Sequence, residues 1–256
     1  MSNIALEALG AEKGEYLSHA KNEVWLQRGI QGEGEIFILQ QLPGGRIALA
    51  CIGGEKGKYL SHANDKLWLQ NGIQGEGEEW IMKDHGNGNV SFDCLGKEIG
   101  KTLSHAKGKM WLQNGYQGEG ELWAKQECIV LEALGAEKGE YLSHAKDSVW
   151  LQHGVQGAGE MFILQHLANG SVALACTGGE TGKYLSHGKG NPKEVWLQNG
   201  IQGEGEEWIM KDHGNGNVSF DCLGKEIGKT LSHARNTIWL QNGYQGEGEL
   251  WAMKGA

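Results

Sequence analysis

Proline is nearly missing from this 256-residue chain, which has only 2, and no stretch repeats its apolar residues at helical spacing for a useful length. That excludes proline-rich recognition segments and a helical bundle. No apolar run reaches the length that spans a bilayer, and no secretory leader is legible at the N-terminus. Basic residues are too few and too scattered for a nucleic-acid or anionic-membrane face, since 23 Lys and Arg stand against 32 Asp and Glu, a net charge of −9. The five cysteines are odd in number and form no Cys-x-x-Cys pair, so the reading is buried thiols in a reducing setting. A cytoplasmic protein, or one exported without a classical leader, is expected.

What the chain has in abundance is glycine, 43 residues, at fixed places. Recurrence at fixed places points to tight turns rather than disorder. The glycines punctuate a stretch written six times. The first copy reads Tyr16-Leu17-Ser18-His19, Val24-Trp25-Leu26-Gln27, then Gln31-Gly32-Glu33-Gly34-Glu35 and an apolar ending. The period is about 40 residues. A longer period lies over it: Leu6–Ala20 returns almost unchanged as Leu131–Ala145, and Trp68–Ala106 returns letter for letter as Trp196–Ala234. The chain is therefore two tandem halves of three repeats, and the halves differ mainly by an insertion near Gly188–Lys193. The expected domains are 1–126 (repeats about 3–42, 43–85 and 86–126) and 127–256 (repeats about 128–167, 168–213 and 214–256).

Each repeat holds four short runs of alternating apolar residues, rich in β-branched and aromatic side chains. These read as four strands. Turns such as Asn87-Gly88-Asn89 and Asn215-Gly216-Asn217 join the fourth strand of one repeat to the first of the next. Six four-stranded units fit a six-bladed propeller, but a single ring has no use for a three-repeat superperiod. Three repeats per half point instead to two pseudo-threefold barrels. Val24 and Leu26 are expected to face inward, with Phe37, Phe162, Trp80, Trp123, Trp208 and Trp251 in the core.

Gly182-Lys183-Tyr184-Leu185-Ser186-His187, the Gly/Asn/Pro-rich run to Pro192 and Val195-Trp196-Leu197 resemble the β-trefoil unit of the fascin and hisactophilin group. More narrowly, they resemble the small mussel β-trefoil lectins that bind galactose and N-acetylgalactosamine. The resemblance implies two tandem β-trefoil domains in an all-β chain. It departs where the lectins carry a His-x-Asp-x-His loop, because this chain has Gln198, Gly200 and Gln202 there. The sugar preference is therefore not carried over.

The repeats place a His at the end of the second strand and Gln and Glu in the loop after the third. Gln offers donors and acceptors, carboxylates accept from hydroxyls, and a neutral His offers one of each. The candidate carbohydrate-binding residues are His19, Gln27, Gln31 and Glu33 in the first repeat, then His62, Gln70, Gln74 and Glu76 in the second. The third supplies His105, Gln113, Gln117 and Glu119, and the fourth His144, Gln152 and Gln156, with Ala158 at the glutamate position. The fifth supplies His187, Gln198, Gln202 and Glu204, and the sixth His233, Gln241, Gln245 and Glu247. Trp25, Trp68, Trp111, Trp150, Trp196 and Trp239 are candidates for stacking on sugar rings. Gly32 and Gly34 are read as letting backbone amides approach a ligand. The alternative is that the tryptophans cover neighbouring loops and the His and Gln side chains only hold turns.

No metal-ligand spacing and no nucleophile–base pair is legible, so neither a cofactor nor an enzyme is expected. The function read from these repeats is a multivalent lectin, an agglutinin of glycan-bearing surfaces, with up to three shallow sites per half. The resemblance also implies an alternative, actin binding or bundling, which the acidic charge disfavours.

Overall fold

A computed structural model describes residues 2–188 and 194–255. Most of the insertion in the fifth repeat, residues 189–193, lies outside them. Two compact units are present, Met1–Glu127 and Cys128–Ala256.

The first unit is all-β. Its strands are β1 (Ser2–Ala8), β2 (Glu15–Ala20), β3 (Glu23–Arg28), β4 (Ile36–Gln41), β5 (Ile47–Cys51), β6 (Lys58–Ala63), β7 (Lys66–Asn71), β8 (Trp80–Asp84), β9 (Asn89–Cys94), β10 (Lys101–Ala106) and β11 (Lys109–Asn114). Residues 123–127 of β12 (Trp123–Ala133) complete it. Antiparallel pairing runs β1–β4–β5–β8–β9–β12 and returns from β12 to β1, so six strands close a ring. The other six form three hairpins, β2–β3, β6–β7 and β10–β11. A closed six-stranded barrel with three hairpins, repeated about a threefold axis, is the β-trefoil. Closure leaves no unpaired barrel edge.

The second unit repeats the arrangement. Residues 128–133 of β12 join β15 (Phe162–His166), β16 (Val172–Cys176), β19 (Trp208–Asp212), β20 (Asn217–Cys222) and β23 (Trp251–Gly255) in a ring. Its hairpins are β13–β14 (Glu140–Ala145, Ser148–His153), β17–β18 (Lys183–His187, Val195–Asn199) and β21–β22 (Lys229–Ala234, Thr237–Asn242).

Five of the hairpins, all but β17–β18, are tight because two successive residues take positive φ, as in Lys21 (49°) and Asn22 (66°), or Asn64 (51°) and Asp65 (59°). That is the type I′ geometry whose twist suits paired strands. Asn tolerates it, and Lys pays a small strain for it. Each such turn is held from the following repeat. The Glu55 carboxylate accepts from the Lys21 amide (2.8 Å), and Glu12 accepts from Lys107 across the closure of the first ring (2.5 Å).

The barrel interior is filled as the alternation requires. Phe37, Trp80 and Trp123 are fully buried in the first unit, and Phe162, Trp208 and Trp251 in the second. Val24 and Leu26 pack against the first core from the hairpins. The five cysteines are buried thiols, and burial pushes Cys51, Cys94 and Cys222 up to about 12, so these thiolates are suppressed. Among the described residues no helix is long and apolar enough to cross a membrane.

Candidate functional site

The loop after the third strand of each repeat is built around a buried carboxylate that sequence reasoning left unassigned. Glu35 accepts from Ser18 Oγ (2.5 Å), from the Gln31 amide (2.9 Å) and from the Gly32 amide (3.0 Å). Glu78 does the same with Ser61, Gln74 and Gly75, and Glu121 with Ser104, Gln117 and Gly118. Glu160, Glu206 and Glu249 hold the loops of the second unit. The second glutamate of Gly-Glu-Gly-Glu and the serine of Leu-Ser-His thus form one lock, and their common recurrence was the signal available. The second glycine has a structural reason as well. A Cβ on Gly34 would sit 3.0 Å from the His19 carbonyl oxygen, so the loop backbone lies directly on β2. The expected glycine approach is therefore to the protein's own strand at Gly34, while the Gly32 amide is engaged by Glu35.

The six histidines are buried, between 1% and 3% exposed. Each ring sits edge-on against the core aromatic of its own repeat, for example His19 on Phe37 (4.8 Å) and His62 on Trp80 (4.4 Å). Nε2–H donates to a backbone carbonyl, Ile36 for His19 (3.3 Å) and Leu122 for His105 (2.9 Å). The expectation that each histidine offers a donor and an acceptor is corrected here, because its donor is already engaged. Nδ1 is buried without a hydrogen-bond partner in all six rings. With Nε2 protonated, Nδ1 presents a lone pair that only a donor can satisfy.

Burial lowers the pKa of His19, His62, His144, His187 and His233 from the usual 6.5, although the carbonyl contact and neighbouring glutamates oppose it. The folded state therefore prefers these rings neutral, while the unfolded chain takes up protons as pH falls through about 6.5. Stability is expected to be full above that pH and to decline as pH falls toward the folded values. Urea midpoints at pH 7.5 and 5.5 check this, and an unchanged midpoint would contradict it.

The tryptophans of the third strands are half-buried. Each indole N–H donates to the glutamine two residues on, Trp25 to Gln27 Oε1 (3.3 Å) and Trp111 to Gln113 Oε1 (3.0 Å). The same pair joins Trp68 to Gln70, Trp150 to Gln152, Trp196 to Gln198 and Trp239 to Gln241. These glutamines keep their amide N–H groups. The exposed loop glutamines are the reverse: Gln31 Nε2 donates to the Arg28 carbonyl (3.1 Å), and Gln74, Gln117, Gln156, Gln202 and Gln245 act alike, leaving their side-chain carbonyls.

Fold-back of the loop, not register, brings the candidates together. In β2–β3, Tyr16 pairs with Gln27 and His19 with Val24, so the histidine lies at the turn end and the loop leaves from the other. The loop then returns along β2 until Gly34 lies on the His19 carbonyl. The site is completed by the next repeat. Glu33 lies against Gly53, Glu76 against Gly96, and Glu119 returns to Gly10; in the second unit Glu204 lies against Gly224 and Glu247 returns to Gly135. Gly53 has φ of 64°, and a Cβ there would overlap the Glu33 carboxylate, so glycine is required twice over. In the fifth repeat the result is a cleft of about 370 Å³ lined by Ser186, His187, Gly188, Trp196, Gln198, Gln202, Glu204, Gly205 and Glu206, with Leu223, Lys225 and Glu226 from the sixth repeat. The second repeat has a smaller one of about 220 Å³, with His62 and Glu76 facing Leu95, Lys97 and Glu98. The fourth loop differs: Ala158 lies against Gly178, and Thr177 Oγ1 donates to the Ala158 carbonyl (2.7 Å). Among the described residues no group of three or more His, Cys, Asp or Glu is placed to hold a metal ion.

No protein-family model matches the chain, and no curated protein matches its sequence. Solved structures similar to it include a mosquitocidal holotoxin, 9% identical over 99% of this chain with TM-score 0.43; the chain spans 34% of that protein's length. They also include the designed three-fold symmetric protein ThreeFoil, 20% identical over 48% of this chain and 96% of that one, TM-score 0.41. A third is SeviL bound to asialo-GM1 saccharide, 15% identical over 49% of this chain and 96% of that one, TM-score 0.41. Each unit is assigned to the β-trefoil fold by its own closed ring and three hairpins.

Proposed function

We propose that the chain is a multivalent carbohydrate-binding protein whose sites are the clefts between each Gln-Gly-x-Gly-Glu loop and the Gly-x-Glu turn of the following repeat. The observation that carries this is the buried, unpartnered Nδ1 of His187 in a cleft already lined by Gln198, Gln202, Glu204 and a tryptophan face. Around it stand the remaining amide donors of Gln198, the carbonyl of Gln202 and the carboxylate of Glu204. A hydroxyl that both donates and accepts suits this set, and a sugar ring brings several hydroxyls with an apolar face for the indole. Binding rather than catalysis is the reading, because Ser186 is fully buried and its hydroxyl donates to Glu206, a buried carboxylate that also accepts from the Gln202 amide and so is used in holding the loop. Several weak clefts on one chain would engage clustered glycans by avidity, which supports agglutination as the activity.

A glycan array with free monosaccharides as competitors tests the proposal. Competable binding to a defined sugar, weakened in Gln202→Ala and Glu204→Ala, is the expected result. A blank array with co-sedimentation of the chain on filamentous actin would replace the saccharide reading with the actin one. The fourth cleft lacks the exposed glutamate, so Gln156→Ala is expected to reduce avidity less than Gln74→Ala. Equal losses in the two variants would remove the glutamate from the proposed contacts.

A further inference from the structure

The third loop of each unit departs from its sisters by one residue. Tyr116 and Tyr244 stand where the other loops carry Ile30, Ile73, Val155 and Ile201. They are 45% and 46% exposed, and yet they are held in place. The Tyr116 ring stacks on His85 with centroids 4.8 Å apart and planes at 21°, and Tyr244 stacks on His213 at 4.9 Å and 21°. His85 belongs to the turn between β8 and β9. Its amide donates to the Asn89 carbonyl (2.9 Å), and its Nε2 lies 2.9 Å from Oγ of the fully buried Ser91. His213 is tied to Asn217 and Ser219 in the same way. Each tyrosine is thus the outer layer of a two-ring slab anchored to the barrel.

The fold does not call for an aromatic ring here, since an aliphatic residue serves four of the six loops, and one of them, Ile30, is buried. A fixed, exposed aromatic face is electron-rich and attracts positively polarised C–H bonds, which one face of a pyranose ring supplies in a row. Its position relative to the cleft is equally informative. Glu119 lies against Gly10 of the first repeat, while Tyr116, three residues earlier in the same loop, lies against His85 of the β8–β9 turn. The exposed Gln117 lies between them in sequence.

We propose that the Tyr116–His85 and Tyr244–His213 slabs are stacking subsites for a second sugar ring, belonging to a glycan whose first ring occupies the adjoining cleft. The third and sixth sites then read disaccharides or longer chains lying across Gln117 and Gln245, whereas the other clefts read a single ring. The inference rests on the saccharide reading of the clefts.

The test is one array carrying galactose, N-acetylgalactosamine, glucose, N-acetylglucosamine and mannose, each as the monosaccharide and as its di- to tetrasaccharides. It is probed with the unaltered chain and with Tyr116→Ile/Tyr244→Ile. Isoleucine is the residue of the sister loops, so the variant is expected to fold, which circular dichroism and the urea midpoint verify. A second variant, His85→Leu/His213→Leu, removes the support beneath the tyrosine and introduces the residue found at Leu42 and Leu167. The unaltered chain should bind oligosaccharides about fivefold better than the matching monosaccharide, and both variants should lose that preference while keeping monosaccharide binding. Monosaccharide binding with no length preference, or a preference that survives in the isoleucine variant, overturns the subsite and leaves the clefts standing. A blank array for every protein overturns both.

Discussion

Trp80→Ala is expected to lower the unfolding free energy by about 3–5 kcal/mol, the range for a large aromatic removed from a packed core. Trp80 is fully buried between β5 and β9, and its indole N–H donates to the Leu60 carbonyl (3.1 Å). Alanine therefore leaves a cavity and also strips a buried carbonyl of one donor. The His62 ring leans on the same indole, so the damage reaches the cleft as well as the barrel. Trp80→Phe installs the residue that Phe37 and Phe162 already supply at the corresponding place, and about 1–2 kcal/mol is expected for it. Urea titration followed by tryptophan fluorescence and circular dichroism measures both. A loss under about 1 kcal/mol for the alanine variant would be incompatible with a core position.

Glu78→Ala is expected to cost about 2–4 kcal/mol, and the loss has a different origin. The Glu78 carboxylate is the common acceptor for the Ser61 hydroxyl and for the Gln74 and Gly75 amides. Removing it leaves three donors without their partner, one of them on a serine that is fully buried. The amides lie near solvent and recover part of the loss through water, which keeps the figure below that of a fully enclosed network. Glu78→Gln retains an acceptor oxygen but loses the charge, and about half the penalty is expected. The loop carrying Gln74 and Glu76 should also lose its fixed shape, so amide exchange at residues 73–78 should accelerate more than at the hairpin β6–β7. Uniform exchange throughout the unit would show that the carboxylate supports the whole fold rather than this loop.

Both effects trace to residues that the repeat makes visible, yet the two were not equally legible. The core aromatics follow from alternation: a strand buries every second side chain, and one large ring per repeat must point at the axis. Lys21-Asn22 is less readable as a hairpin turn, because nothing in a Lys-Asn pair demands two positive φ angles until the strands on either side are paired. In the sequence Glu78 is only the last residue of a Gly-Glu-Gly-Glu motif, and nothing in the motif assigns it a role. Its first partner, Ser61, is 17 residues away, and only the loop folding back onto β6 brings them to 2.6 Å. The histidines show the limit most clearly. The spacing places His62 near Gln70 and Gln74, but the hairpin register pairs Gln70 with Tyr59 and His62 with Leu67, and only the loop folding back lays Gly77 on the His62 carbonyl. Burial against Trp80 and the bond to the Glu79 carbonyl then decide that only Nδ1 remains to act.

The sequence by itself determined the architecture. A doubled set of three repeats, four alternating runs in each, and glycine at the joints admit few closed all-β solutions, because every strand must pair and every apolar face must be covered. Tertiary structure decided what the clefts are made of. Each is finished by a glutamate-bearing turn from the next repeat, and the partners are far apart in the chain, with Lys21 meeting Glu55 and Arg235 meeting Glu137 across 98 residues. Closing a ring creates those neighbours, and hydrogen-bond satisfaction then assigns each donor and acceptor. A linear pattern carries the residues but not the assignment, since the same His, Gln and Glu can hold a turn or face a ligand until the strand beside them is known.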